Sequence, residues 1–405
     1  MDALLTEWAA LILRWLHVIA GIAWIGSSFY FMHLDAALKP SPDIPEGKGG
    51  EAWEVHGGGF YQVRKWLVAP DRLPSEMMWH KWESYATWLS GFALLMWIYY
   101  LGADLYLIDP AVRALPAWAA IAIGIGGLAL GWIVYDALCK SPLRDNAVGL
   151  GAVGFAFVVA AAWGFQQVFS GRGAMLHTGA LMATIMSGNV FFIIIPNQRK
   201  IIADLTAGRQ PDPSLGKAGK TRSTHNNYLT LPVLFLMLSA HYPMVYGSPY
   251  AYVIVGLVLV AGALIRHFYN QRHAGRGNLW WTWGASALAL ALAAVISAAT
   301  TPAVREELGW RKLPREKKVA GLPRLPDEVD AILTTRCSMC HAREPVWSGI
   351  VVPPKGVRLD APEHIFRNRE GIRMFTVMTR AMPPNNITHM TDAERRTLAQ
   401  WLRQL

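Results

Sequence analysis

Eight stretches of about twenty mainly apolar residues decide what this chain can become; they lie near 8–32, 82–105, 115–138, 146–169, 172–195, 225–246, 249–269 and 279–300. Wound as an α-helix, such a stretch matches the hydrocarbon core of a bilayer. In lipid a helix is also one of only two ways to pair every backbone N–H and C=O within the protein. The sequence therefore predicts an all-α fold, an eight-span transmembrane bundle over residues 1–300. Composition agrees, since 53% of the 405 residues are hydrophobic and only 16% are charged, a balance that a soluble domain of this size does not have. The opening "MDALLTEW" lacks the basic n-region of a cleavable signal peptide, so the first span is expected to stay in the mature protein.

The net charge of +10 is explained by topology rather than by nucleic acid. Loops after spans one, three, five and seven hold seventeen Lys and Arg residues, whereas those after spans two, four and six hold only Arg113 and Arg172. Positive loops stay in the cytoplasm, so both termini are expected on the outer face of a bacterial inner membrane.

Segments 16–33 and 176–193 align without gaps at Leu16/Leu176, His17/His177, Ala20/Ala180, Ala23/Ala183, Ile25/Ile185, Ser27/Ser187 and Phe31/Phe191. Tyr85, Thr87, Phe92 and Leu95 then line up with Tyr228, Thr230, Phe235 and Leu238. Spans one to four and five to eight are thus expected to form a 4+4 parallel repeat about an axis along the membrane normal.

Residues 301–325 read as a basic, Pro-containing linker lying along anionic lipid headgroups. Residues 326–405 form a small soluble domain containing "RCSMCHA". A Cys-x-x-Cys-His run fastens a c-type haem: Cys337 and Cys340 supply the thioethers, and His341 reaches the iron. Met382, in the Pro-stiffened loop "AMPPNN", is the expected second axial ligand, and a Met/His pair raises the haem potential. The expectation is a class I cytochrome c domain in the periplasm, where c-type haem is attached. A zinc knuckle or redox dithiol uses similar spacing, but the adjoining His and the later Met favour haem. In "TDAE", Thr391 and Glu394 announce a capped final helix with Leu398, Trp401 and Leu402 on one face. Cys139, the third cysteine, reads as a small apolar residue at a helix end.

Polar groups at membrane depth are costly, so His17, His177 and His241, at a similar outer level, invite a shared explanation. As symmetry mates, His17 and His177 are candidate ligands of a second, b-type haem. The plainer reading makes each a hydrogen-bonding partner of a neighbouring helix. His33, His80, His225 and His267 fall at inner span ends, where the interface solvates them. Arg14 is a candidate for an anionic group, and Gln166 and Gln167 offer planar hydrogen bonds. No nucleotide loop, zinc-protease helix or Ser/His/Asp motif occurs.

Taken together, "RWLHVIAGIAWIGSSFYF", "HKWESYATWLSGFALL", "STHNNYLTLPVLFLMLSAHYP" and the tail's "CSMCH" with "MPP" resemble the bacterial membrane-bound urate oxidases (urate hydroxylases), which join an eight-span domain to a C-terminal cytochrome c. The first stretch is also locally similar to the opening helix of a haem-b-binding membrane protoporphyrinogen oxidase family. The resemblance implies oxidation of urate to 5-hydroxyisourate, with electrons passing to the fused haem and onward to a downstream cytochrome or terminal oxidase, without hydrogen peroxide. It carries no residue assignment into the membrane part. There Arg14, Gln166, Gln167 and His241 are candidate catalytic residues on their chemistry alone, since urate is a planar anion. The competing expectations are a non-enzymatic electron-transfer subunit linking a quinol-oxidising partner to a terminal oxidase, and a transporter fused to a sensing cytochrome.

Overall fold

The computed structural model describes residues 2–45, 47–67, 73–109, 112–300, 324–347, 350, 353–378, 382–383 and 387–404. The expected linker, up to residue 323, lies outside them.

The membrane part is a bundle of long helices. Helix α1 runs over Asp2–Ala37 and α2 over Trp82–Leu94, the latter prolonged by a wide π-type turn at Leu95–Tyr100. Helices α3 (Ala117–Lys140) and α4 (Ala147–Gln166) follow. Next come α5 (Gly171–Gly188), a second π-type turn (Asn189–Ile194) and α6 (Ile195–Thr206). The set closes with α7 (Pro213–Ser239), α8 (Ala251–His273) and α9 (Trp281–Thr300).

Six of these stretches are long and apolar enough to cross a membrane: Trp8–Ala37, Ala117–Lys140, Ala147–Gln166, Gly171–Thr206, Ala251–His273 and Trp281–Thr300. The other two expected spans are helical but less uniform. That near 82–105 winds as α2 and its π-type turn, and that near 225–246 runs through the second half of α7, which starts twelve residues earlier in "PSLGKAGKTRST", and ends in the helical turn Pro243–Tyr246. Apolarity alone marks where a helix enters hydrocarbon, and polar residues of good helical propensity carry it further. Arg222 and Arg266, expected among the loop charges, accordingly sit inside α7 and α8 and are buried. The charge bias between the two loop sets survives without them.

The all-α expectation fails in the first long loop, where β1 (Gly49–His56) and β2 (Gly59–Trp66) form an antiparallel hairpin with His56 opposite Gly59. Its two-residue turn is Gly57–Gly58, with φ of 58° and 82°. Such left-handed values let a tight turn match strand twist, and glycine takes them at least cost.

Helix α5 is the hub. Its buried residues include Met175, His177, Leu181, Met182, Ile185 and Met186, and α3, α4 and α7 all pack along it. Gly124 and Gly131 give α3 a small-residue seam toward it, a Cβ on Gly131 coming 2.7 Å from Leu181. The repeat is met in part. α1 packs along α2 as α5 packs along α7, but α8 and α9 pair closely whereas α3 and α4 touch each other little.

The tail has a separate core of Leu333, Ile365, Leu398 and Trp401, built from α10 (Asp327–Arg336), α11 (Pro362–Arg367) and α12 (Asp392–Arg403). The expected capping box is present: Thr391 Oγ1 accepts from the Glu394 N–H, and Glu394 returns the bond to the Thr391 N–H. The tail rests on the bundle. Arg367 pairs with Asp109 at 3.4 Å, and Pro354–Gly356 touches the helical turn Pro243–Tyr246 between α7 and α8. We call this the tail end of the bundle; β1 and β2 lie toward the other.

Candidate functional site

Local hydrogen bonds knit the loops of the tail end together. Ser170 caps α5 by accepting from the Gly173 N–H, donates its hydroxyl to Tyr106 O at 2.7 Å, and donates its N–H to Leu107 O at 2.8 Å. Gln166 Nε2 donates to the carbonyls of Ser248 (3.1 Å) and Pro249 (3.0 Å). A Cβ on Gly171 would meet Tyr246 O at 2.2 Å, so only glycine lets the Pro243–Tyr246 turn close onto the start of α5.

These contacts gather Tyr99, Tyr106, Arg172 and Tyr246. The Arg172 guanidinium carbon lies 5.4 Å from the Tyr99 ring centroid and 5.0 Å from that of Tyr106, and the two rings, tilted and 6.0 Å apart, give it a pair of cation–π contacts. Among the described residues six buried side-chain polar atoms lack a hydrogen-bond partner, and four of them are at this end: Tyr99 Oη, Tyr246 Oη, Arg172 Nε and Gln166 Oε1. Leaving such an atom unpaired costs about 1–3 kcal/mol, so four together mark a place built to meet something else.

The opposite end holds a buried polar network in which, among the described residues, Asn227 Nδ2 is left without a partner. Arg222 binds Asp136 at 2.6 Å and Asn189 Oδ1 at 3.1 Å. Asn189 Nδ2 donates to Tyr135 Oη (3.0 Å) and Asn226 Oδ1 (2.8 Å), and Asn226 donates to Met186 O (2.9 Å). Tyr135, already an acceptor, passes its O–H to His225 Nδ1 at 2.7 Å, with the Cys139 thiol 3.9 Å from the same nitrogen. Of the motif "HNNY", Asn227 accepts from Arg266 Nε and Asn270, and Tyr228 meets His267 at 3.0 Å. This network braces α3, α5, α7 and α8.

The expected membrane candidates separate. His17 Nδ1 donates to Thr87 O at 3.0 Å, tying α1 to α2. His177, fully buried, donates Nδ1–H to Gly173 O (2.8 Å), which leaves Nε2 to accept from the Tyr100 hydroxyl at 3.2 Å. Phe165 and Phe169 wall the ring at 5.7 and 4.6 Å, and a Cβ on Gly124 would come within 2.8 Å of Nε2. As packed, these surroundings leave no space for a porphyrin at His177. Helix α2 lies against both α1 and α5, through Thr87 to His17 and through Trp88 Nε1 to Thr184 Oγ1 at 3.1 Å. Arg14 is exposed on α1 within electrostatic reach of Tyr99. Gln166 spends its amide donors on the 248–249 loop; Gln167 is exposed past the end of α4, and His241 is exposed past the end of α7.

In the tail, Cys337 ends α10 and the turn Ser338–His341 follows. His341 donates Nδ1–H to Val357 O at 2.9 Å, which fixes its tautomer and keeps the Nε2 lone pair for a metal, as an axial ligand requires. Burial holds its imidazole below the ordinary range against that hydrogen bond, so it stays neutral. Burial also pushes the Cys337 thiol up to about 12 and raises Cys340. Met382 is pinned by its backbone, its N–H to Phe375 O (2.8 Å) and its carbonyl to the buried Arg395 (2.9 Å). Cys337, Cys340 and His341 have the chemistry to hold a c-type haem, for which Met382 would be a further candidate ligand.

Sequence reasoning gave Arg172 only as a loop charge and missed Tyr99, Tyr106, Tyr246, Asn189 and Tyr135. The available signal was Arg172's rarity, as one of two bases in the sparsely charged loops.

Comparison with curated proteins and with solved structures finds no match. A family model described as urate oxidase N-terminal matches residues 3–297, the whole bundle and none of the tail. The chain belongs to the urate oxidase N-terminal family.

Proposed function

We propose that this protein is a cytochrome c-linked urate oxidase of the bacterial inner membrane, crossing it eight times with its N-terminus and tail in the periplasm. Oxidation of urate to 5-hydroxyisourate takes up one water and releases two protons and two electrons. The bundle binds and orients urate; the c-type haem, when bound, supplies one-electron acceptance, so two electrons leave singly. They pass on to a downstream cytochrome or terminal oxidase, and oxygen need not meet urate or yield peroxide.

The observation that carries this reading is the docking of the tail. The domain bearing Cys337, Cys340 and His341 rests on the end of a urate oxidase-family bundle where Tyr99, Arg172 and Tyr246 keep unpaired polar atoms. The loop charges favour a periplasmic position for the tail. His17 and His177 serve as hydrogen-bonding helix braces in this reading.

The test is anaerobic mixing of the purified whole protein with urate. About two tail haems should be reduced per urate consumed, with 5-hydroxyisourate formed and no peroxide. Reduction that appears only after a quinol-linked partner is added would make the protein an electron-transfer subunit instead.

A further inference from the structure

We infer that the urate monoanion is held at the tail end of the bundle by Arg172 together with the hydroxyls of Tyr99 and Tyr246. This rests on the urate oxidation proposed above and gives it a site. Tyr99 and Tyr246 are 4% and 8% exposed; the Tyr246 hydroxyl lacks a hydrogen-bond partner, and the Tyr99 hydroxyl faces the Arg172 side chain without a well-formed bond to it. Arg172 Nε is buried without a partner beside them. Arg172 and Tyr99 both lie within electrostatic reach of Tyr246.

The chemistry fits a planar, oxygen-rich anion. Tyr99 and Tyr106 hold the Arg172 guanidinium by cation–π contact, and a guanidinium can make parallel hydrogen bonds with neighbouring O and N atoms of a flat ring. Phenolic hydroxyls donate to ring carbonyl oxygens. Arg172 is the second residue of the 18-residue α5, where the helix dipole adds to the attraction for negative charge, and Arg14 approaches Tyr99 from α1. The network around Arg222 and its neighbours leaves one buried donor over, Asn227 Nδ2. Tyr246 also belongs to the turn touched by Pro354–Gly356 of the tail, so the site adjoins the electron acceptor's domain.

The experiment measures equilibrium dialysis of radiolabelled urate against the whole, haem-loaded protein kept reduced with dithionite, so that binding is read without turnover. Arg172→Gln should weaken binding about tenfold or more, the worth of a charge-assisted hydrogen bond. Arg172→Lys should recover part of the loss, because it restores charge without the fork. Tyr99→Phe and Tyr246→Phe should each weaken binding about threefold to tenfold. They remove one oxygen apiece and decide the matter if Arg172→Gln fails to fold. Unchanged binding in both Phe variants, or in a folded Arg172→Gln protein, overturns the site while leaving urate oxidation standing. A wild-type protein that neither binds urate nor passes electrons from it to the tail removes both.

Discussion

The packing of His177 can be tested by adding a single methyl group. In Gly124→Ala the new Cβ would lie 2.6 Å from Tyr100 Oη and 2.8 Å from His177 Nε2, well inside ordinary contact, and neither ring is a flexible side-chain end. Overpacking of this kind costs about 1–3 kcal/mol. Separating Tyr100 from His177 leaves two buried polar atoms unpaired and adds about 1–3 kcal/mol. Gly126 is the control. It lies on the same helix, and a Cβ there meets nothing within 4 Å. The gain in helix propensity is common to both substitutions and cancels, so Gly124→Ala should be about 2–6 kcal/mol less stable than Gly126→Ala. Equilibrium unfolding in detergent, followed by intrinsic fluorescence, measures that difference. Adding Tyr100→Phe should restore part of the loss, since the hydroxyl is the nearest obstacle. Equal stability of the two alanine variants would refute the packing and reopen the space that a membrane haem at His177 needs.

Three further outcomes are expected. Met382→Ala should change the absorption spectrum of the tail haem and lower its potential, and an unchanged spectrum excludes Met382 as ligand. Arg222→Met should destabilise the bundle by about 2–4 kcal/mol, less than the full cost of breaking a buried pair because Lys140 still binds Asp136 at 2.6 Å. Unfolding of this variant within 1 kcal/mol of wild type would show that the network is not a brace. Burial raises the Glu394 carboxyl, but the Thr391 N–H and Arg336 outweigh it and hold Glu394 below its usual 4.5. Its contribution is therefore present above pH 4.5 and is lost as pH falls through the lower folded value. Thermal melts of the whole protein between pH 6 and 3, read at the tail, should show a shallower acid loss in Glu394→Gln.

The helices were legible because lipid leaves so few alternatives: twenty apolar residues must be a helix, and α1, α3, α4, α8 and α9 lie where apolarity puts them. The capping box at Thr391 was legible for the same local reason. The hairpin was written in "GGEAWEVHGGGFYQVRKW", alternating residues around a Gly–Gly turn, but a loop between spans gave no reason to count by twos. Arg172, Tyr99 and Tyr246 were not legible. They are 73 and 74 residues apart along the chain, and each alone looks like a loop base or an interfacial tyrosine. His177 drew attention for its depth, yet its partners Gly173 and Tyr100 supply an ordinary account of it.

The two polar clusters differ in a way that assigns them roles. Around Arg222, the guanidinium, Asp136, Asn189, Asn226 and Tyr135 each have a protein partner, so a ligand entering there would have to break bonds already made. Around Arg172, two rings flank the charge while Nε and the Tyr99 and Tyr246 hydroxyls lack well-formed hydrogen bonds, so a ligand entering there gains more bonds than it breaks. Preorganised, unspent donors are what binding and oxidation of an anion need. The tail docks at the end with the surplus rather than the end with the brace. Under the proposed reaction, an electron leaving urate at Arg172 would have the tail domain on the same side of the bundle and would not have to cross the hydrocarbon.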